Sequence, residues 1–211
     1  MKYLIVGTGG TGGAIGGFLA ASGKDVSFIA RGSHLEAIRQ NGLVVDSELR
    51  GRLHIENAQA FDMESYEDSP DVIFVCVKGY SMDEVCPFLR RVARPDTMIV
   101  PILNVYGTGG KLAVRMPGLT VADGCVYIVS YISAPGEITQ KGPLFRVVYG
   151  NRDSSCPDIF YDIESDLRES GIDVIVSTNI IRDAFQKFSC VSPMAAAGVF
   201  FQNTMGEIRE N

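Results

Sequence analysis

Long apolar runs, paired cysteines, histidine clusters and an excess of positive charge are all missing from this sequence. No apolar stretch approaches the roughly 18 residues that would span a bilayer, so no membrane role is expected. Lys2 followed by an apolar run superficially offers the start of a secretory leader, but the glycines that come next break any helical continuation. A cytoplasmic protein is expected. The five cysteines (Cys76, Cys86, Cys125, Cys156, Cys190) are odd in number, widely spaced and without a C-x-x-C pair, which argues against a zinc or redox motif. Most of them read as small core residues of a reducing compartment. Two histidines, His34 and His54, are too few for a histidine-based metal site, and both read as surface residues; no metal is expected. Lysine and arginine number 19 against 25 acids, a net charge of −6. Nucleic-acid binding needs a concentrated basic face, and the densest basic knot, Arg90-Arg91 and Arg94, fits an exposed helix instead.

What the chain does have is glycine, 23 of its 211 residues, within an ordinary globular composition of 46% apolar and 21% charged residues. That length supports one sizeable core and a partial second unit. The glycines are concentrated where they carry information. Lys2-Tyr3-Leu4-Ile5-Val6 is a β-forming apolar run, the pattern of a buried parallel strand. It enters Gly7-Thr8-Gly9-Gly10-Thr11-Gly12, a match to G-x-G-x-x-G, then a helix-like stretch (residues 13–22) and a second strand (25–30). In that context the motif is a dinucleotide fingerprint. Gly7 allows a tight turn, Gly9 lets the backbone approach a pyrophosphate, and Gly12 lets the helix lie close to the strand. The free N–H groups and dipole of the helix start would face the phosphates; Thr8, Gly10 and Thr11 belong to the same cradle.

The tip of the second strand indicates which dinucleotide. An NAD site usually carries an acid there for the ribose 2′-hydroxyl; a 2′-phosphate is met by an arginine. This chain has Ala30-Arg31-Gly32-Ser33 and no acid. A guanidinium can take a phosphate with two parallel hydrogen bonds, and Ser33 is placed to cap a helix over residues 34–41. The cofactor expected is NADP(H); the competing reading of Arg31 is a solvated surface charge.

Further on, residues 43–45 and 52–55 read as a hairpin or bent strand at the sheet edge, and 56–70 as an acidic surface connection. Residues 71–77 form a buried strand ending at Lys78, followed by a helix over 82–93 capped by Ser81. Another strand (97–103) opens at Asn104. Segments 125–133, 137–139 and 144–149, separated by Pro135-Gly136 and Lys141-Gly142-Pro143, predict an antiparallel extension of the sheet. A helix (158–170), a strand (173–176) and a long helix capped by Thr178 or Asn179 complete the reading, the last with an apolar stripe of Ile180, Ile181, Ala184, Phe185 and Phe188. The fold class is α/β: a Rossmann-type, doubly wound, mostly parallel sheet over residues 1–177, then the first helices of an all-helical domain over 178–211. Ligands of such sheets bind beyond the carboxyl ends of the strands, where Gly7 to Gly12, Lys78 and Asn104 converge.

The ordered set of G-x-G-x-x-G, Ala30-Arg31-Gly32-Ser33-His34-Leu35, Val77-Lys78, Leu103-Asn104-Val105-Tyr106-Gly107 and Phe185-Gln186-Lys187-Phe188 resembles the ketopantoate reductase family across nearly the whole chain. The resemblance implies NADPH-dependent reduction of 2-dehydropantoate to pantoate, a step toward pantothenate and coenzyme A, in a cleft between a nucleotide domain and a helical domain. It also implies that Lys187 is the catalytic lysine, with Lys78 and Asn104 orienting substrate and cofactor. Chemically, an ammonium beside a reduced carbonyl stabilises the alkoxide and donates a proton; the alternative is a snorkelling lysine on an amphipathic helix. Lys78 as an ordinary sheet-edge lysine and Asn104 as a turn former also stay open. Val191 and Ala195 stand where the family carries asparagines four and eight positions after its lysine, and Ser192-Pro193 resembles a subgroup of paralogues. The family's later substrate-holding serine and glutamate have no counterpart here, so a truncated helical domain is expected. A reductase of another small 2-oxo acid and a non-catalytic NADP(H)-binding module remain the alternatives, and a homodimer is one assembly the sequence leaves open.

Overall fold

In the computed structural model, which describes residues 1–210, the opening apolar run is strand β1 (Lys2–Val6). The chain turns at Gly7, whose φ of +97° suits glycine, into helix α1 (Gly10–Ala21) and strand β2 (Asp25–Ile29). Next come α2 (Gly32–Asn41), β3 (Leu43–Ser47), β4 (Gly51–Ile55) and β5 (Gln59–Phe61). They are followed by β6 (Val72–Val75), one 3₁₀ turn at Gly79–Ser81, α3 (Met82–Val92), β7 (Met98–Pro101), α4 (Thr108–Arg115) and β8 (Thr120–Val121). The remaining elements are β9 (Asp123–Ala134), β10 (Glu137–Gly150), α5 (Ile159–Glu169), β11 (Asp173–Val176), α6 (Ile180–Phe201) and α7 (Met205–Glu210).

Six strands pair in parallel in the order β5-β2-β1-β6-β7-β8. Numbered by their own succession this is 3-2-1-4-5-6, the doubly wound order, whose switch point lies between β1 and β6. The strands are apolar on both faces because both are covered. Tyr3, Ile5 and Phe74 face a core shared with α1 and α5, while Leu4, Val6 and Ile73 face a second core with α3 and α4.

The antiparallel extension expected from the sequence takes the form of a second, mixed sheet. Here β10 pairs antiparallel with β9 along its length and parallel with β3 at one end and β11 at the other. Helix α1 lies between the two sheets and needs two flat faces to do so. A Cβ on Gly16 would collide with Phe28 and Ile5 of the first sheet, and one on Gly13 or Gly17 with Ile138 or Val45 of the second.

Several expectations change. The 43–55 hairpin forms, but at the edge of the second sheet. The acidic 56–70 connection contains β5, a parallel edge strand too short to leave a period-2 signal. Lys141-Gly142-Pro143 is no second turn; it sits in a register shift within β10. Helix α4, hidden in a glycine-rich stretch, was not expected. Neither Ser33 nor Ser81 makes a side-chain cap, because α2 already begins at Gly32 and a 3₁₀ turn feeds α3; of the two caps proposed for α6, Asn179 accepts from the Arg182 N–H at 3.2 Å. No helix among the described residues is long and apolar enough to cross a membrane.

Candidate functional site

A cavity of about 710 Å³ opens beyond the carboxyl ends of β1, β2 and β6, at the switch point of the parallel sheet. Its size is that of a small-molecule site. The glycine loop forms one wall. A Cβ on Gly7 would lie 2.9 Å from Val77 Cγ1, and one on Gly12 would overlap the Gly7 carbonyl oxygen, so both positions are closed to larger residues. Beside Gly9 the opposite holds: an added Cβ meets nothing within 4 Å. That open backbone face, next to first-turn N–H groups of α1 that have no intrahelical partner, is a cradle for an anion.

Thr8 contributes differently. Its buried Oγ1 donates to the Ile29 carbonyl at 2.9 Å, and the Gly7 and Thr8 N–H groups donate to the same oxygen at 3.2 and 3.1 Å. The hydroxyl thus pins the loop to β2. Gly10 begins α1 directly beneath β9, where a Cβ would press on the Ser130 backbone, and Thr11 is half-buried in the first turn. Arg31 stands at the N-cap position of α2 with extended backbone; its side chain is 79% exposed, lines the cavity and sits 4.0 Å from Glu84. Lys78 is exposed and lines the same cavity.

Two buried polar side-chain atoms lack a hydrogen-bond partner among the described residues, His34 Nε2 and Ser130 Oγ. Both lie on segments that flank the glycine loop. His34 is not the surface residue expected: it is half-buried, lines the cavity, and its Nδ1 accepts from the Gly136 N–H at 2.9 Å. Burial holds its pKa below the ordinary value of 6.5, with a weaker opposing pull from the Thr8 backbone. Its spacing of three residues from Arg31, one turn along the same helix, was the signal that could have singled it out. The open face at Gly9 and the cationic rim fit a dinucleotide.

Lys187 is brought to Asn104. The lysine is 6% exposed, its Nζ donates to Asn104 Oδ1, and burial lowers its pKa from 10.5. This burial does not come from its helix neighbours, since Phe185 and Cys190 are exposed. It comes from the loop after β7 and from β9: Asn104, Tyr106 and Cys125 line a narrow cleft with Lys187 and Val191. Tyr106 packs against Phe185 and Phe188, with ring centroids at 5.4 and 6.0 Å, and so clamps α6 to the loop after β7. The expected apolar stripe is therefore covered only in part: Ile180 is buried, whereas Ile181 is exposed. Lys78 does not join the Lys187–Asn104 pair; it occupies the larger cavity next door.

Sequence reasoning missed Asp123, which is buried and accepts from the Gly109 N–H at 2.6 Å and from Arg152 Nη1 at 2.6 Å. A carboxylate at the first turn of α4 suits the helix dipole and fixes the loop that carries Asn104. Its only trace in sequence is an acid directly after the apolar Val121-Ala122.

The model of the ketopantoate reductase PanE/ApbA family matches residues 3–154. The uncharacterised oxidoreductase YkpB of Bacillus subtilis is 29% identical over 208 residues, which is 99% of this chain and 68% of that protein. The crystal structure of 2-dehydropantoate 2-reductase from Porphyromonas gingivalis W83 superposes with a TM-score of 0.89 at 31% identity, covering 100% of this chain and 76% of that one. A D-mandelate dehydrogenase in complex with NADH shares the fold, with a TM-score of 0.84 at 21% identity over 100% of this chain and 66% of the other. The chain spans 60% of the length of another solved 2-dehydropantoate 2-reductase, from Methylococcus capsulatus.

Proposed function

The chain belongs to the ketopantoate reductase family of oxidoreductases, and from that premise we propose that it serves NADPH-dependent reduction of 2-dehydropantoate to pantoate, in cytoplasmic pantothenate biosynthesis. The observation that carries the reading is the buried Lys187 held against Asn104 beside the dinucleotide cavity. Residues 1–177 act as the dinucleotide-binding domain, and α6 and α7 as a helical unit beside it.

Gly7 to Gly12 receive the pyrophosphate, Arg31 the 2′-phosphate, and Lys78 and Asn104 the nicotinamide end. When bound, NADPH supplies a hydride to the substrate carbonyl carbon. Lys187, as ammonium, faces the carbonyl oxygen, stabilises the growing negative charge and delivers a proton from Nζ. Low exposure strengthens that electrostatic contribution, and the lowered pKa makes the proton easier to give. Asn104 Oδ1 holds the ammonium in place. Lys187→Ala should cut kcat by about 10²-fold or more while leaving the NADPH Kd nearly unchanged; equal loss in both would remove Lys187 from the chemistry.

A second reading, a reductase of another small 2-oxo acid, is favoured by one observation. The cleft position four residues beyond Lys187 is the apolar Val191, where the resemblance leads one to expect an asparagine. A panel of 2-oxo acids followed by NADPH absorbance separates the two, and a chain that binds NADPH but turns over none of them is a binding module.

A further inference from the structure

We propose that Glu84 is a specificity-determining residue of the cavity, an acid supplied from α3 that opposes Arg31: it repels a 2′-phosphate and accepts from a ribose hydroxyl of an unphosphorylated dinucleotide. The inference deepens the 2′-phosphate reading of Arg31 and rests on it. The tip of β2 carries no acid, although that is where an NAD site usually meets the ribose. Folding brings one in from another element. Glu84 lies in the first turn of α3, where a carboxylate suits the helix dipole and where Val85, Phe88 and Leu89 hold the helix on the sheet. It lines the cavity with Arg31, and its Oε2 stands 4.0 Å from Arg31 Nη1. Both side chains are exposed, so the ion pair adds little to stability and leaves the guanidinium free to swing. The carboxylate, however, is kept by α3 beside whatever the guanidinium binds. A 2′-phosphate carries about two negative charges, so Arg31 would hold it next to a like charge, which cancels part of the attraction. A ribose hydroxyl meets no such repulsion and can donate to the same carboxylate. Asp62, on the same wall, is committed elsewhere: it accepts from the Glu64 and Ser65 N–H groups at 3.0 and 2.7 Å and lies 3.9 Å from Arg39. Asp83, one residue before Glu84, faces a separate pocket with Arg115. Among the described residues, Glu84 is the one acid that Arg31 meets within 4.0 Å.

Kd values for NADPH and NADH are measured by calorimetry, at low salt and at about 1 M salt, on the wild-type chain, Glu84→Gln, Glu84→Ala, Asp83→Asn and Arg31→Asp. Glutamine removes the charge and keeps an acceptor; alanine removes both. Expected for Glu84→Gln is about fivefold tighter binding of NADPH at low salt, with NADH unchanged. That gain should shrink at about 1 M salt, where the Debye length is about 3 Å. Glu84→Ala should gain as much on NADPH and lose about fivefold on NADH. Asp83→Asn makes the same charge change outside the cavity and should keep the wild-type ratio of the two Kd values. An unchanged ratio in Glu84→Gln would overturn the proposal. So would an equal shift in Asp83→Asn, because net charge alone would then be at work, or equal weakening of both cofactors in Glu84→Gln, because the glutamate would then only support α3. Arg31→Asp separates the two levels. A ratio that it leaves unchanged removes the 2′-phosphate reading and this inference with it. A ratio that moves with Arg31→Asp but not with Glu84→Gln removes the inference alone.

Discussion

At the scale of single residues, function turns on where two positive charges are kept. Arg31 is almost fully solvated and reaches its weak partner Glu84 only at 4.0 Å, so the guanidinium is free to turn toward a 2′-phosphate. Arg31→Asp should move preference from NADPH toward NADH, read as the ratio of their Kd values; unchanged selectivity would return Arg31 to the solvated surface. Lys187 is the reverse case, an amine taken out of water. Burial lowers its pKa from 10.5, so between the lowered value and 10.5 the folded chain binds fewer protons than the unfolded one, and stability rises with pH across that window. Activity runs the other way. With the ammonium as the proposed proton donor, kcat/KM should fall on a basic limb set below 10.5, and Lys187→Arg should remove that limb. A profile flat up to pH 10.5 would count against Lys187 as the acid. The fingerprint glycines, Arg31, Lys78, Asn104 and Lys187 could be named from sequence as candidates, because each stands at a strand tip or in an ordered motif. Asp123 could not, and His34 only by its spacing from Arg31, since their partners, Arg152 and Gly136, are distant in the chain and only folding reveals the bonds.

At the scale of elements, α1 is the piece on which both sheets depend. Its glycines allow strands on both sides to come closer than side chains would permit. Gly12→Ala would overlap the Gly7 carbonyl oxygen and should cost about 1–3 kcal/mol, or about 2–4 °C of Tm for each of those kcal/mol, with weaker NADPH binding besides. Thermal denaturation with and without cofactor checks both halves. The glycine fingerprint announced the turn and the first strand contact, but not the second sheet packed on Gly13 and Gly17. The elements that escaped the sequence were β5, β8 and α4, the two strands too short to show alternation and the helix rich in glycine. The β9–β10 pair was legible as hairpin chemistry at Pro135-Gly136, whereas its separation from the parallel sheet was not.

At the scale of the whole molecule, the 3-2-1-4-5-6 order places the cavity at the single point where neighbouring strands send their connections to opposite faces. Binding there engages β1, β2, β6 and α2 together. NADPH at about 100 times its Kd should therefore raise stability by about 2.7 kcal/mol, seen as one cooperative shift in Tm; a shift confined to local probes would mean the cavity is not coupled to the core. Sequence alone determined the nucleotide-binding character of the chain. Strand, glycine turn and helix start are local, and the chemistry of a phosphate cradle is carried by consecutive backbone groups. The arginine proposed for a 2′-phosphate is likewise fixed by its place at a strand tip. Only tertiary structure decided that Lys187 is buried and that Asn104 meets it across 83 residues. Those properties belong to pairs of distant segments, and no local pattern encodes the distance between them.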